Sequence, residues 1–115
     1  MLKVFVAISL FLNIGTKNHI HNTFCEQNAV HIKPHIGNNV IIQVQGQNVL
    51  FGKRRSIEWF NALAKDPRII NTKVTKLKKH EFTYSVEFKF KNQGVTFTNV
   101  IFIEVYKGRI LRVLG

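Results

Sequence analysis

The sequence has little of what most well-understood enzyme sites are built from. Its 115 residues include one cysteine, Cys25, and one aspartate, Asp66. One cysteine cannot form an internal disulfide or a Cys-x-x-Cys pair, and no base can be placed beside it, so Cys25 is interpreted as a small core residue. A Gly-rich phosphate loop and the Gly-x-Ser-x-Gly turn of hydrolases are also absent. These absences exclude the corresponding redox, nucleotide-loop and serine-hydrolase classes.

Acidic residues are scarce throughout the chain. Six Asp and Glu stand against 17 Lys and Arg, which gives a formal charge of +11. Residues 53–115 carry most of this excess, with fourteen basic residues against five acidic ones. A basic surface can attract nucleic acid, anionic lipid or an acidic protein. No arginine-rich run or aromatic RNA-binding motif accompanies the charge, which favours a solvated lysine-rich surface.

The sequence has no apolar run long enough to cross a bilayer. Residues 4–12 are almost all apolar and follow Lys3, so the start of the chain resembles a signal peptide. The cleavage site is poor, because Gly15 would need a small residue at position 13 and finds Asn13. The competing interpretation is a buried first helix. We expect a cytoplasmic protein, with export as the alternative if residues 1–15 act as a signal peptide.

Apolar spacing predicts helices in the first half of the chain and a strand period of two in the second. The three predicted helices span residues 3–13, ended by Gly15, residues 16–26, capped by Thr16, and residues 54–65, ended by Asp66 and Pro67. Predicted strands span 29–33, 40–44, 49–51, 72–79, 82–90, 95–106 and 109–114, with turns at 37–39, 92–94 and 107–108. The strand over 72–79 has broken alternation, which indicates a bulge or an edge position.

This order of elements predicts an α+β fold in one domain over residues 1–115. A curved, mostly antiparallel sheet would wrap around N-terminal helices and leave an interior pocket.

Four segments carry a family resemblance. In order and spacing they resemble motifs of the nuclear transport factor 2-like superfamily, also called SnoaL-like or cystatin-like α+β cones. The four segments are residues 12–16, 24–30, 51–60 and 102–110. The resemblance covers nearly the whole chain and implies the same cone-shaped fold. It also implies that residues 1–15 hold the first helix of the cone, which argues against a signal peptide.

The known catalytic patterns of this superfamily are not matched. In ketosteroid isomerase-like members, the carboxylate base would fall near Lys33, the tyrosine on Ile8 and the oxyanion acid near Ile101. None of these residues can fill the role, so isomerase chemistry of that type is rejected. Epoxide hydrolase-like and cyclase-like members depend on aspartates, and only Asp66 is present, at a helix end.

A pocket hypothesis remains. Lys33 and His31 are weak catalytic candidates, because a lysine in the cone can act as a base, as an amine nucleophile or as an anion contact. The alternative is that Lys33 extends to the rim. Asn99 shares its parity with apolar residues, which indicates a polar group inside the pocket, and the alternative is an edge position near a turn. The predicted pocket-lining residues are Ile8, Phe24, Lys33, Trp59, Tyr84, Phe97, Asn99 and Ile101.

Three hypotheses about function follow. The first is binding of a small apolar or anionic molecule in the cone, without ketosteroid isomerase-type catalysis, in a homodimer formed through the outer face of the sheet. The second is an enzyme of the isomerase, dehydratase or cyclase class that uses Lys33 or His31. The third is a basic module that binds nucleic acid or an acidic protein through residues 73–79. The five histidines are not spaced as ligands on one face, so we expect no metal and no cofactor.

Overall fold

Two α-helices, two short 3-10 turns and a six-stranded sheet form the parts of the chain that the computed structural model describes, residues 15–78 and 82–115. The predicted helix over residues 3–13 and the candidate Ile8 lie outside these ranges. In chain order the elements are α1 (15–25), the 3-10 turns Ala29–His31 and Lys33–His35, β1 (Ile36–Gln43), β2 (Val49–Gly52), α2 (Lys53–Ala64), β3 (Ile69–Lys76), β4 (Thr83–Asn92), β5 (Val95–Tyr106) and β6 (Arg109–Leu114).

The sheet is mixed, curved and unclosed, with the strand order β2-β1-β6-β5-β4-β3. Neighbouring strands are antiparallel except β1 and β6, which run parallel. The three longest antiparallel ladders join β3 to β4, β4 to β5 and β5 to β6, as the period of two after residue 72 predicts. β3 lies at one edge, and its pairing with β4 is irregular between Ile69 and Asn71. The predicted edge position is therefore confirmed.

The core lies between the inner face of the sheet and the two helices. On β4, the buried residues alternate with exposed ones, so that Val86 and Phe88 point inwards. On α2, Ser56, Phe60 and Ala64 are buried at intervals of four, which is the spacing of one helix face. The helix predicted over residues 54–65 is confirmed, and it ends before Asp66 and Pro67 as expected.

The inner face of the sheet is not covered along its whole length. Residues 91–100, which include the β4–β5 turn and the first half of β5, are all exposed. Further along β5, Ile101, Ile103 and Val105 are buried. The inner side chains therefore pass from solvent to core within one strand, and this transition positions the site described below.

The predicted strand over residues 29–33 is wrong, because this segment forms 3-10 turns. The side chain of Asn28 accepts a hydrogen bond from the backbone N–H of Val30, at 3.0 Å, and caps the first turn. Ala29, Ile32 and His35 are the buried residues. They are spaced by three, which is the repeat of a 3-10 helix and not of a strand.

Two further local predictions are wrong. Residues 37–39 are not a turn but part of β1, where the pairing with β6 shifts between Ile36 and Ile41. A Cβ at Gly37 would lie 3.5 Å from the carbonyl oxygen of Ile110, so the glycine serves the close approach of two strands. Thr16 is also not an N-cap, because Gly15 and Thr16 are both helical in α1, and the predicted end of the preceding helix falls outside the described residues.

Candidate functional site

A cavity of about 450 Å³ lies where α2 and the inner face of β4 and β5 separate. Four of the pocket residues predicted from the sequence line it together: Trp59, Phe97, Asn99 and Ile101. The rest of the wall comes from α2, β4 and the loops after β1 and α2, namely Val44, Gln45, Gln47, Ala62, Leu63, Asp66, Arg68, Phe88 and Phe90. This size is within the range of small-molecule sites.

Aromatic rings form one wall of the cavity. Phe90 and Phe97 are cross-strand neighbours on β4 and β5, and their rings stack with centroids 5.1 Å apart and planes 8° apart. Phe97 is 42% exposed, whereas Phe88 is 1% exposed. Phe88 packs edge-on against Phe24 of α1, with centroids 4.8 Å apart. The wall therefore runs from a buried ring to one that faces the opening.

One charge pair borders the cavity. The Arg68 Nε–H donates to Asp66 Oδ1 at 3.0 Å, and Arg68 Nη2 donates to Asp66 Oδ2 at 2.7 Å. The Arg68 hydrogen bond lowers the pKa of the Asp66 carboxyl, and the same bond raises the pKa of Arg68. Asp66 therefore stays ionised at neutral pH and is a poor general base. The sequence analysis treated Asp66 only as a helix stop, although an arginine two residues later was visible.

Three carboxamide side chains also line the cavity. Gln45 and Gln47 come from the turn after β1, where Gln45 and Gly46 both have positive φ angles, 54° and 77°. Asn99 comes from β5, on the same face as Ile101. Within the described part of the chain, none of the three side chains has a hydrogen-bond partner. The sequence analysis found Asn99 by its parity but missed both glutamines.

Lys33 and His31 do not lie at this cavity. Lys33 is exposed in the second 3-10 turn and borders a separate surface depression beside the first turns of α2. His31 Nε2 is paired with the carboxylate of Glu26. The family resemblance placed Lys33 at the end of a first strand, but this segment forms 3-10 turns and not a strand. The structure thus corrects the grouping of Lys33 with Trp59 and Asn99.

Phe24 and Tyr84 belong to the core and not to the cavity lining. Phe24 is 3% exposed and Tyr84 is 5% exposed. Burial raises the pKa of Tyr84, and a side-chain hydrogen bond to Thr16 of α1 opposes that shift. These two aromatic residues attach α1 to β4.

A histidine pair ties α1 to the β5–β6 turn. His35 Nδ1 lies 2.9 Å from the carbonyl oxygen of Gly108, and His19 Nδ1 lies 2.7 Å from His35 Nε2. A carbonyl oxygen only accepts, so neutral His35 carries its proton on Nδ1 and accepts from His19 Nδ1–H at Nε2. Burial lowers the pKa of His19, and the charges of His35 and His31 lower it further.

Cys25 is exposed at the end of α1, so its interpretation as a core residue is wrong. Its Sγ lies 3.2 Å from His21 Nε2, one helical turn earlier. The sequence analysis placed no base near this thiol. In the ranges 15–78 and 82–115, no cluster of three or more His, Cys, Asp or Glu side chains is arranged to hold a metal ion. No helix in the same ranges is long and apolar enough to cross a membrane.

Comparison with known proteins supports the fold. No protein-family model and no curated protein matches the chain. A nuclear transport factor 2-like protein of unknown function from Mesorhizobium loti has a TM-score of 0.70 at 13% identity, over 90% of this chain and 88% of that one. A DUF4783 family protein from Bacteroides uniformis has a TM-score of 0.56 at 15% identity, over 85% and 94%. A de novo designed protein with a curved β-sheet has a TM-score of 0.58 at 18% identity, over 85% and 84%.

These likenesses define the class of fold. The chain has the nuclear transport factor 2-like fold, an α+β architecture with a curved, unclosed mixed sheet, as the four sequence segments predicted. At these identities the likeness concerns the fold alone, so the function is argued from the cavity.

Proposed function

We propose that the protein binds a small molecule in the cavity between α2 and the β4–β5 face. The observation that carries the proposal is the cavity of about 450 Å³, whose lining has four aromatic residues and three carboxamides that make no hydrogen bond to another described residue. Sites for small ligands combine apolar walls with a few polar groups in this way. Asp66 is held by Arg68, and Lys33 and His31 lie elsewhere, which favours binding over acid–base chemistry in this cavity.

Trp59 provides the assay for this proposal. It is the only tryptophan of the chain and lies in the cavity lining, so a ligand that enters changes its fluorescence. A chemically mixed panel of apolar, anionic and neutral polar compounds is titrated into the protein while Trp59 emission is followed.

A variant with a filled cavity separates binding there from binding elsewhere. Ala62 is exposed and lines the cavity, so Ala62→Phe occupies ligand space without replacing a core residue. Leu50→Phe is the control, because Leu50 is 63% exposed on the edge strand β2 and does not line the cavity. We expect compounds that bind the wild type to bind Leu50→Phe equally and to lose binding to Ala62→Phe. The proposal fails if no compound binds, or if binding to Ala62→Phe is unchanged.

We also propose that two copies associate through the outer face of the sheet. Three apolar side chains point outwards on this face. They are Phe102 and Val100 of β5, which are 37% and 36% exposed, and Ile41 of β1, which is 38% exposed. The Glu104–Arg112 pair, with Arg112 Nε 3.0 Å from Glu104 Oε2, lies on the same face. The patch also borders Glu87, which pairs with Val100 across the β4–β5 ladder. A mainly apolar patch with a polar border suits contact with an identical surface.

Sedimentation of the purified chain tests this association. We expect a dimer for the wild type and a monomer for Phe102→Lys, because the lysine would place a charge in the middle of the patch. Val30→Lys is the control, because Val30 is 56% exposed in the first 3-10 turn and lies outside the sheet, and this variant should remain dimeric. A monomeric wild type at all concentrations would contradict the proposal.

A further inference from the structure

The charges around the cavity determine which ligands it accepts. Asp66 and Arg68 are the charged side chains among its lining residues, and they neutralise each other. Arg68 donates hydrogen bonds from Nε and Nη2 to the two carboxylate oxygens of Asp66. The Nε–Nη2 edge of the guanidinium, which could hold a ligand carboxylate through two hydrogen bonds, is therefore already occupied. Because this pair carries no net charge, an anionic ligand would find no uncompensated cation among the lining residues. A cationic ligand would find no uncompensated carboxylate there and would be opposed by the overall charge of +11.

The aromatic wall offers a flat stacking surface. The Arg68 guanidinium carbon lies 5.7 Å from the Phe90 ring centroid, and Phe90 stacks in parallel on Phe97. Phe97 lines the cavity and is 42% exposed, so part of its ring is accessible to a ligand. Another planar ring placed against Phe97 would extend the stack. Parallel, offset rings at this distance attract each other beyond the effect of buried area alone.

The carboxamides determine the polar character of the ligand. Gln45, Gln47 and Asn99 each offer an N–H donor and a C=O acceptor, and none has a partner within the described residues. A ligand with a donor beside an acceptor pairs with a carboxamide through two parallel hydrogen bonds. A pure hydrocarbon would instead remove water from these groups without replacing its hydrogen bonds.

Resting on the proposed binding function, we propose that the cavity takes an uncharged planar heteroaromatic compound whose edge carries adjacent hydrogen-bond donor and acceptor groups. The ring stacks on Phe97, and the edge pairs with the carboxamide of Asn99, which lies two residues along the same face of β5. Selection against anions follows from the closed Asp66–Arg68 pair.

Three bicyclic probes of similar size separate the elements of this proposal. Isoquinolin-1(2H)-one is neutral, flat and has an adjacent N–H and C=O. Decahydroisoquinolin-1-one keeps the lactam but has no aromatic ring. 2-Naphthoate keeps the flat rings but is anionic and has no donor. Binding is measured by NMR titration, with the side-chain NH₂ signals of Gln45, Gln47 and Asn99 as direct reporters.

We expect isoquinolin-1(2H)-one to bind at least about tenfold more tightly than either relative, because each relative lacks one of the two contacts. Asn99→Leu should weaken its binding about fivefold, the effect of one lost hydrogen bond. Phe97→Leu should weaken it roughly three- to tenfold through loss of stacking. Asn18→Leu is the control, because Asn18 is exposed on α1 and does not line the cavity.

The outcomes distinguish this proposal from the binding function on which it rests. Stronger binding of 2-naphthoate, or equal binding of the saturated lactam, overturns the proposed ligand class. So does the failure of all three probes to shift the carboxamide signals. The binding function is decided separately by the mixed panel and Ala62→Phe, and it stands if compounds of another class are lost from that variant.

Discussion

Two phenylalanines of the cavity wall should differ sharply in their importance for stability. Phe88 on β4 is 1% exposed and packs against Phe24 and Phe90. Phe97 on β5 is 42% exposed and stacks only on Phe90 among the described rings. The pair therefore compares the same residue type in one wall, once inside the core and once at the opening.

The magnitudes follow from what each ring loses when it is removed. Phe88→Ala removes a fully buried ring and leaves a void among Phe24, Phe90 and the cavity, which costs about 3–5 kcal/mol of unfolding free energy. Phe97→Ala leaves no closed void, and the ring buries little more than half of its surface, so about 1–2 kcal/mol is expected from partial burial and stacking. The first loss is large against a total stability of about 5–15 kcal/mol.

Urea unfolding followed by far-ultraviolet circular dichroism measures both losses. We expect Phe88→Ala to lower the midpoint much further than Phe97→Ala, with similar slopes for both variants. Equal losses would refute the reasoning, because they would mean that Phe97 is as enclosed as Phe88 and that the cavity does not open at that end of β5.

Three further predictions concern the polar contacts. Tyr84→Phe removes the hydroxyl bonded to Thr16 and should cost about 1 kcal/mol in the same urea assay, and no loss would show that the contact is not formed. His19 has a pKa below its ordinary value of 6.5, so the unfolded chain binds more protons below that pH and its contribution to stability falls as the pH is lowered. His19→Gln should therefore reduce the loss of stability between about pH 7 and pH 5, and an unchanged loss would contradict the assignment. Asp66 has a pKa below 3.8, so its contribution is present above that pH and is lost as the pH falls through the lowered value. The difference in unfolding free energy between wild type and Asp66→Asn should therefore shrink in acid, and a constant difference would mean that Arg68 does not hold the carboxylate.

The second half of the fold was predictable because local pattern and global pairing agree there. The alternation in β4 and β5 corresponds directly to inner and outer faces of the sheet. Gln93 and Gly94, and Lys107 and Gly108, adopt the positive φ angles that tight hairpin turns need. The lengths of these strands, the positions of their turns and the faces to which their side chains point therefore follow from residues that are close in sequence.

The segment between α1 and β1 was predicted less well, because two periodicities overlap in it. Ala29 and Ile32 fit a 3-10 repeat, and the Asn28 cap supports that interpretation, yet the same residues also form a short apolar run. Pro34 is compatible with both, since it fits the start of a 3-10 turn as well as the end of a strand. Lys33 became a pocket candidate because the family resemblance placed it at the end of a first strand, and that strand does not form here.

The cavity itself was only partly predictable. Four predicted residues line it: Trp59 and Phe97 were candidates as aromatic residues, Asn99 by its parity with apolar residues, and Ile101 through the family resemblance. Gln45, Gln47 and Arg68 lie in loops, where no period assigns direction. Their approach to the cavity depends on where β1 and α2 end relative to β5, which is a property of the tertiary fold.

The most direct test of the central claim is a high-resolution crystal structure of the protein purified without added ligand, with the density between Trp59 and Phe97 inspected. The account predicts an open cavity of about 450 Å³ that contains either ordered water or a co-purified compound in contact with the carboxamides. A cavity filled by the side chains of Trp59, Phe97 and Leu63, with no room for a ligand, would contradict it.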